Sequence, residues 1–228
     1  LFEKEIIVVN DASTDGTKDI LEKYQKDNED VIVLHHEKNK GKGAALRTGF
    51  ARATGEFVVV QDADLEYDPA DIYRMAAYAV EHCAPIVYGS RRLKKQVRQY
   101  SAWRYFAGGA LVTWVTNLLF GVRITDEPTC YKLFRRSVLM DFPLRCERFE
   151  FCPEVTACAV LRRIPIAEIP ISYAPRGTSE GKKIRWYDGV EAIAVLLRYR
   201  LFGESLSFWR LFHFSLLSVF VIGAIHLV

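Results

Sequence analysis

The sequence predicts an α/β fold, with a mostly parallel sheet and helices on both of its faces. Three observations carry that prediction. Short apolar runs alternate with helix-length segments through the first half of the chain, the pattern of right-handed βαβ units. Phe57-Val58-Val59-Val60 is an unbroken apolar run between Gly55 and an acidic cluster, which reads as a strand buried on both faces. Asp11, Asp62 and the Ser90-Arg91 pair all fall at the carboxyl ends of predicted strands, where such sheets gather their ligands.

Taken in chain order, Glu5 to Val9 is a strand running into the polar turn Asn10 to Thr17. A helix over 17–27 follows, with Asp15 or Thr17 as its N-cap. Val31 to Leu34 is the next strand, and the loop Glu37 to Gly43 opens an Ala-rich helix over 44–53. After the central strand come a helix over 69–82 and a strand over 85–89. Ala102 to Val122 is apolar enough to suggest a membrane span. Arg104 and Arg123 flank it, however, and Thr113, Thr116, Asn117 and two tryptophans give it mixed character. It is therefore expected to lie against the domain or in a bilayer interface. Then follow a strand over 125–134, a helix over 150–163, a strand over 164–173, a basic loop over 174–183 and a helix from 186 to 200.

At 228 residues, half of them hydrophobic and 26% charged, the chain has the composition of a globular domain and can bury a sizeable core. A net charge of +3 makes no case for nucleic acid as a partner, although basic residues bunch over 91–104 and 176–200. The 5 cysteines form no C-x-x-C pair and are odd in number, which fits reduced thiols. Cys146, Cys152 and Cys158 recur at even spacing, but with no His nearby they make a poor zinc site. Residues 206–228 are nearly continuously apolar and read as the start of a C-terminal transmembrane segment. Arg198, Arg200 and Arg210, which precede its apolar run from Leu211, would keep residues 1–203, the remaining domain, on the cytoplasmic side.

The chemistry is expected at Asp62 and Asp64. On an extended chain their spacing puts both carboxylates on one face, where they repel unless a cation lies between them. Hard divalent ions accept such oxygens together with substrate phosphates, and Glu66 offers a third. The alternative is a solvated acidic turn ahead of the helix that starts near Pro69.

Four motifs then stand in order on the predicted elements: Ile7-Val8-Val9-Asn10-Asp11-x-Ser13-x-Asp15-Gly16-Thr17, Lys40-Gly41-Lys42-Gly43, Gln61-Asp62-Ala63-Asp64 and Gly89-Ser90-Arg91. Together they resemble the inverting family-2 glycosyltransferases of GT-A fold, which is Rossmann-like. Among these, the closest resemblance is to the polyprenyl-phosphate sugar transferases of the dolichyl-phosphate mannose synthase type. The resemblance implies metal-dependent inverting transfer of a hexose from a nucleotide-diphosphate sugar to a dolichyl or undecaprenyl phosphate, at the cytoplasmic face of a membrane.

Several roles follow from the resemblance. Asp11, with Asn10 and Ser13 in the same turn, would meet the nucleotide, and Lys42 and its flanking glycines would approach it. Asp62, Asp64 and Glu66 would hold Mg²⁺ or Mn²⁺, neutralising charge on the departing diphosphate. Arg91, Arg92, Arg176, Lys182 and Lys183 are candidates for the acceptor phosphate and lipid headgroups. Asp64, Arg91 and Asp126 are the catalytic candidates, Asp126 either as a general base or as a group that orients Arg or Lys. A phosphate acceptor is already ionised and needs no base.

The family's first strand, with its Pro-x-x-Asn-Glu-type turn, has no counterpart here, so the sequence reads as a fragment whose sheet lacks that strand. Two other readings stay open: transfer to a saccharide or lipid hydroxyl, and a non-catalytic membrane-anchored domain of the same fold. Lys182-x-x-Arg185-Trp186, where processive synthases carry Gln-x-x-Arg-Trp, counts against that branch.

Overall fold

A computed structural model describes residues 3–93, 103–176 and 186–204. Strand β1 (Ile6–Asn10) pairs in parallel with β2 (Val31–His35) across helix α1 (Thr17–Asp27), giving a two-stranded sheet. There follow α2 (Lys42–Arg52), β3 (Phe57–Val59), α3 (Ala70–Glu81), β4 (Ile86–Ser90), α4 (Trp103–Phe120), β5 (Lys132–Arg135), α5 (Arg136–Met140), α6 (Phe151–Leu161), β6 (Ile166–Pro170) and α7 (Trp186–Phe202). The second sheet has the order β3-β5-β4-β6. Observed helix boundaries lie within about two residues of the expected ones, and only the short α5 was not foreseen.

Two expectations about the sheet need correction. It is mixed rather than mostly parallel: β5 runs antiparallel to both β3 and β4, while β4 and β6 are parallel. The expected strand over 125–134 is mostly turn, because Thr129 N–H closes onto the Asp126 carbonyl and the Thr129 hydroxyl donates to the Gly89 carbonyl at 2.6 Å. Only its last residues turn back into the ladder. Second, Phe57–Val59 is a half-buried edge strand, and the strand buried along its whole length is β4, flanked by β5 and β6.

Period-two alternation along β4 and β5 sorts their side chains between two cores. Ile86, Tyr88 and Phe134 pack with α6 and with Val195 and Tyr199 of α7 on one face. Val87 and Leu133 pack with Met75 and Ala79 of α3 on the other. Helices on both faces are thus realised in the second sheet.

Helix α4 lies against the domain. Val112, with Val115, Leu119 and Phe120, packs on Ala192, Ile193 and Leu196 of α7. The polar residues of α4 that argued against a span face inward. Thr113 accepts from the Glu127 amide at 3.1 Å, and Asn117 brackets Ile124 with bonds of 2.8 and 2.9 Å. Its outer face carries exposed Trp103, Leu111, Trp114 and Leu118. Among the described residues no helix is long and apolar enough to cross a membrane, and the expected segment 206–228 lies outside them.

Leu133 is 1% exposed in the α3-side core, so Leu133→Ala is expected to cost about 2–5 kcal/mol of stability by urea unfolding. Ile20→Ala on the outer face of α1 is expected to change it by less than about 0.5 kcal/mol.

Candidate active site

The polar turn after β1 is built from the inside. Asn10, 6% exposed, accepts from the Ser13 amide at 3.0 Å and meets the His35 ring at 3.2 Å, tying the ends of β1 and β2 together. The Asp11 carboxylate accepts from the amides of Lys40 at 2.9 Å and Gly41 at 2.7 Å, and it lies 2.7 Å from Nδ1 of His36. Burial alone would raise the Asp11 pKa, but the two amides and the His36 ring hold it below the ordinary carboxylate value. His36, braced by Thr48 at 2.9 Å, is a site residue that sequence reasoning missed. Its only trace in the sequence is the His-His doublet where β2 ends.

The glycines of the Lys40 to Gly43 loop have a packing role that the sequence did not show. A Cβ on Gly41, whose φ is 89°, would stand 2.3 Å from the Glu147 carbonyl oxygen, and one on Gly43 would stand 2.7 Å from the Cys146 backbone. Within this structure, the loop needs glycine so that it can pass the 146–147 backbone, to which Ala44 N–H donates at 3.2 Å.

Lys42, the first residue of α2, reaches across to Asp62 at 2.7 Å and to Sγ of Cys130 at 3.4 Å. Burial opposes its charge, yet Cys130 and Asp62 together raise its pKa. Asp62 and Asp64 do not share a strand face, as their spacing had suggested. β3 ends at Val59, a turn follows, and Leu65 sits in the left-handed region at φ 59°. The two carboxylates therefore meet different cations. Asp64 accepts from the Glu66 amide at 3.1 Å and from Nη2 of Arg176 at 3.1 Å. Glu66, nearly buried, accepts from Tyr173 OH at 2.8 Å and the Arg176 amide at 3.0 Å, while Nε of Arg176 lies 3.7 Å away.

The three-carboxylate set of Asp62, Asp64 and Glu66 is thus not gathered, and among the described residues no group of three His, Cys, Asp or Glu side chains is placed to hold a metal. What the turn offers is a pair: oxygens of Asp64 and Glu66 converge on one cationic side chain. Two hard oxygens suit Mg²⁺ or Mn²⁺, which take one or two carboxylates and complete their shell with phosphate oxygens and water.

At the end of β4, Arg91 forms a buried fork with Asp126: Nε and Nη2 donate at 2.7 and 2.8 Å, and the Arg91 amide adds 3.0 Å. Asp126 is wholly buried. Desolvation alone would raise its pKa, but the Arg91 charge and hydrogen bonds hold it below the ordinary value. With both oxygens engaged by Arg91 and no exposed surface, the carboxylate has the geometry expected of a group that orients an arginine. Arg91 also lies over the Tyr173 ring at 5.1 Å, so Tyr173 links it to Glu66 and the acidic turn. Arg92 stacks over Phe106 at 5.2 Å. Lys182 and Lys183 lie outside the described residues. Cys146, Cys152 and Cys158 form no disulfide; Cys146 and Cys158 are buried and Cys152 is partly buried.

Residues 2–142 match the family model for glycosyl transferase family 2. A UDP-N-acetylglucosamine–dolichyl-phosphate N-acetylglucosaminyltransferase of Methanococcus voltae is 29% identical over 183 residues, 73% of each chain. A dolichyl-phosphate β-glucosyltransferase of Trichomonas vaginalis is 26% identical over 92% of this chain, which spans 65% of that relative. A crystal structure of glucosyl-3-phosphoglycerate synthase from Mycobacterium tuberculosis, with Mn²⁺, UDP and glucosyl-3-phosphoglycerate, superposes with a TM-score of 0.60. It is 19% identical, and the match covers 86% of this chain and 68% of that one. At that identity the likeness establishes the fold alone, which is α/β and GT-A-like.

Asp126→Asn leaves Arg91 buried against a neutral partner and is expected to cost about 3–5 kcal/mol in urea unfolding at neutral pH. The sign with pH follows from the lowered pKa: the stabilisation is complete above the ordinary carboxylate range and fades as pH falls through the lower, folded-state value. The gap between wild type and Asp126→Asn is therefore expected to narrow on acidification.

Proposed function

The chain belongs to glycosyl transferase family 2, and from that premise we propose that it moves a hexose, with inversion, from a nucleotide-diphosphate sugar to a polyprenyl phosphate at a membrane's cytoplasmic face. The observation that carries this reading is the single line of contacts from the Asp64–Glu66 pair through Tyr173 to Arg91. It sets a divalent-cation donor pair beside guanidinium groups suited to phosphate. Both dolichyl-phosphate transferases described above act on an acceptor of that chemistry.

In this reading the turn held by Asn10, Asp11 and Ser13 borders the nucleotide, and Lys42 keeps Asp62 oriented beside it. Asp64 and Glu66 would hold Mg²⁺ or Mn²⁺, which when bound neutralises charge on the departing diphosphate. Arg91, locked by Asp126, would hold Tyr173, and through it Glu66, in place beside the phosphates. A hydroxyl acceptor would need a base, and Asp126 is occupied by Arg91; a phosphate acceptor needs none, which favours the lipid phosphate. The apolar outer faces of α4 (Leu111, Trp114, Leu118) and α7 (Trp186, Val190, Leu201) would lie against the bilayer that carries the acceptor.

With a radiolabelled nucleotide sugar, Mn²⁺ and polyprenyl phosphate, acid-labile label is expected in the organic phase. Asp64→Asn should reduce it at least about 10²-fold. Label that appears only on water-soluble or acid-stable saccharide products would favour the hydroxyl reading. For the membrane face, a variant keeping Trp114 as its sole tryptophan is expected to lose fluorescence with vesicles of brominated lipid. Unchanged emission, with Trp114 still open to iodide, would remove that surface from the proposal.

A further inference from the structure

The Arg–carboxylate contacts of Arg91 and Arg176 are built differently. Arg91 meets Asp126 as a fork, with two short bonds to one carboxylate. Arg176 instead straddles two carboxylates. Its Nη2 is 3.1 Å from Asp64, and its Nε is 3.7 Å from Glu66, beyond hydrogen-bond range. That Nε is buried with no hydrogen-bond partner, although a third of the side chain is exposed. A seat that leaves a guanidinium nitrogen unsatisfied is poorly shaped for a guanidinium. Two converging carboxylates with one cation between them are well shaped for a small hard ion.

The backbone beneath Arg176 is held separately from its side chain. The Arg176 amide donates to Glu66 at 3.0 Å, the Ala174 amide to the Glu66 carbonyl at 2.8 Å, and Tyr173 pairs with Tyr67 in an antiparallel bridge. Rotation about side-chain bonds alone would withdraw the guanidinium while this strip stays in place.

We infer that Arg176 and a divalent cation compete for Asp64 and Glu66, so that Arg176 holds the seat until metal enters and is then released to a phosphate. This rests on the metal-dependent reading above and adds an order to it: the cation that arrives with the donor sets free a guanidinium for substrate. Two positive groups cannot share that seat, because the charge that favours one disfavours the other. A seat open to metal one time in ten binds it about tenfold more weakly than an open one.

The test is Mn²⁺ binding to the full chain without nucleotide, read from the EPR signal of free Mn²⁺. Arg176→Ala and Arg176→Gln are each expected to bind about tenfold more tightly than wild type. Arg92→Ala removes a positive charge that stacks on Phe106 and acts on Asp126, without vacating the seat, and is expected to change binding by less than about twofold. Equal affinity in wild type and both Arg176 variants overturns the inference and leaves the transferase reading standing. Tightening in Arg92→Ala as large as in Arg176→Ala overturns it as well, by showing a general charge effect. Absence of Mn²⁺ binding in every protein, even with a nucleoside diphosphate added, overturns the metal-dependent reading and this inference with it.

Discussion

Like-charge repulsion within the acidic turn is the constraint that the rest of the site answers. Asp62, Asp64 and Glu66 stand at alternate positions with no basic residue among them, so compensation must come from elsewhere in the chain. It comes from two separated elements. Lys42 at the start of α2 takes Asp62, and Arg176, after β6, takes Asp64 and Glu66. Each compensating cation belongs to a loop fixed by other contacts: Lys42 stands between the glycines that pass Cys146 and Glu147, and Arg176 lies three residues beyond Tyr173, which pairs with Tyr67. Tertiary structure around the site follows from where the opposite charges lie in sequence.

Charge compensation recurs inside the domain, beside the strand that makes the second sheet mixed. The segment between α4 and β5 carries Asp126 and Glu127, both with no exposed surface, where an uncompensated charge is costly. The Glu127 carboxylate accepts from the Thr156 hydroxyl at 3.2 Å and lies 4.0 Å from Nζ of Lys132. Asp126 is met by Arg91 from the end of β4. Lys132, at the start of β5, sends its ammonium to the Glu127 carbonyl at 2.6 Å and over the Tyr88 ring at 3.6 Å. Burial raises the Glu127 pKa, and the nearby Lys132 charge opposes that rise. A turn at 126–129 that brings Lys132 back beside Tyr88 makes β5 enter antiparallel to β4. These buried contacts and the antiparallel entry of β5 are therefore mutually consistent features of one arrangement.

Local pattern made most of the fold legible. Helix periodicity and strand-length apolar runs located the helices and strands, because these depend on neighbours a few residues apart. Pairing direction was not legible: nothing in Lys132 to Arg135 tells whether a strand runs with or against Val87, and the answer lay in contacts such as Thr129 with Gly89. At the site, the residue types were readable and their partners were not. The spacing of Asp62 and Asp64 suggested a shared face because an extended chain was assumed; the left-handed Leu65 and the end of β3 at Val59 break that assumption. His36 was invisible for a related reason, since a lone ring at a strand end acquires meaning only when Asp11 folds against it.

Comparison of the ion pairs divides the site into a fixed and an exchangeable half. Arg91 and Asp126 are dry and bidentate, and removing either strands a buried charge, so this pair serves as scaffold. Lys42 and Asp62 are single-ended but backed by Cys130, an intermediate case. Arg176 with Asp64 and Glu66 is the loosest: part-exposed, one bond per carboxylate at best, and beside Leu65, which is 90% exposed. A ligand that brings its own charge can replace only interactions whose loss costs little, and solvent-facing single bonds are the least costly on the molecule. Exposure and hydrogen bonding thus grade from the dry Asp126 pair to the part-exposed Arg176 contacts, which is the order that the proposed exchange at Asp64 and Glu66 requires.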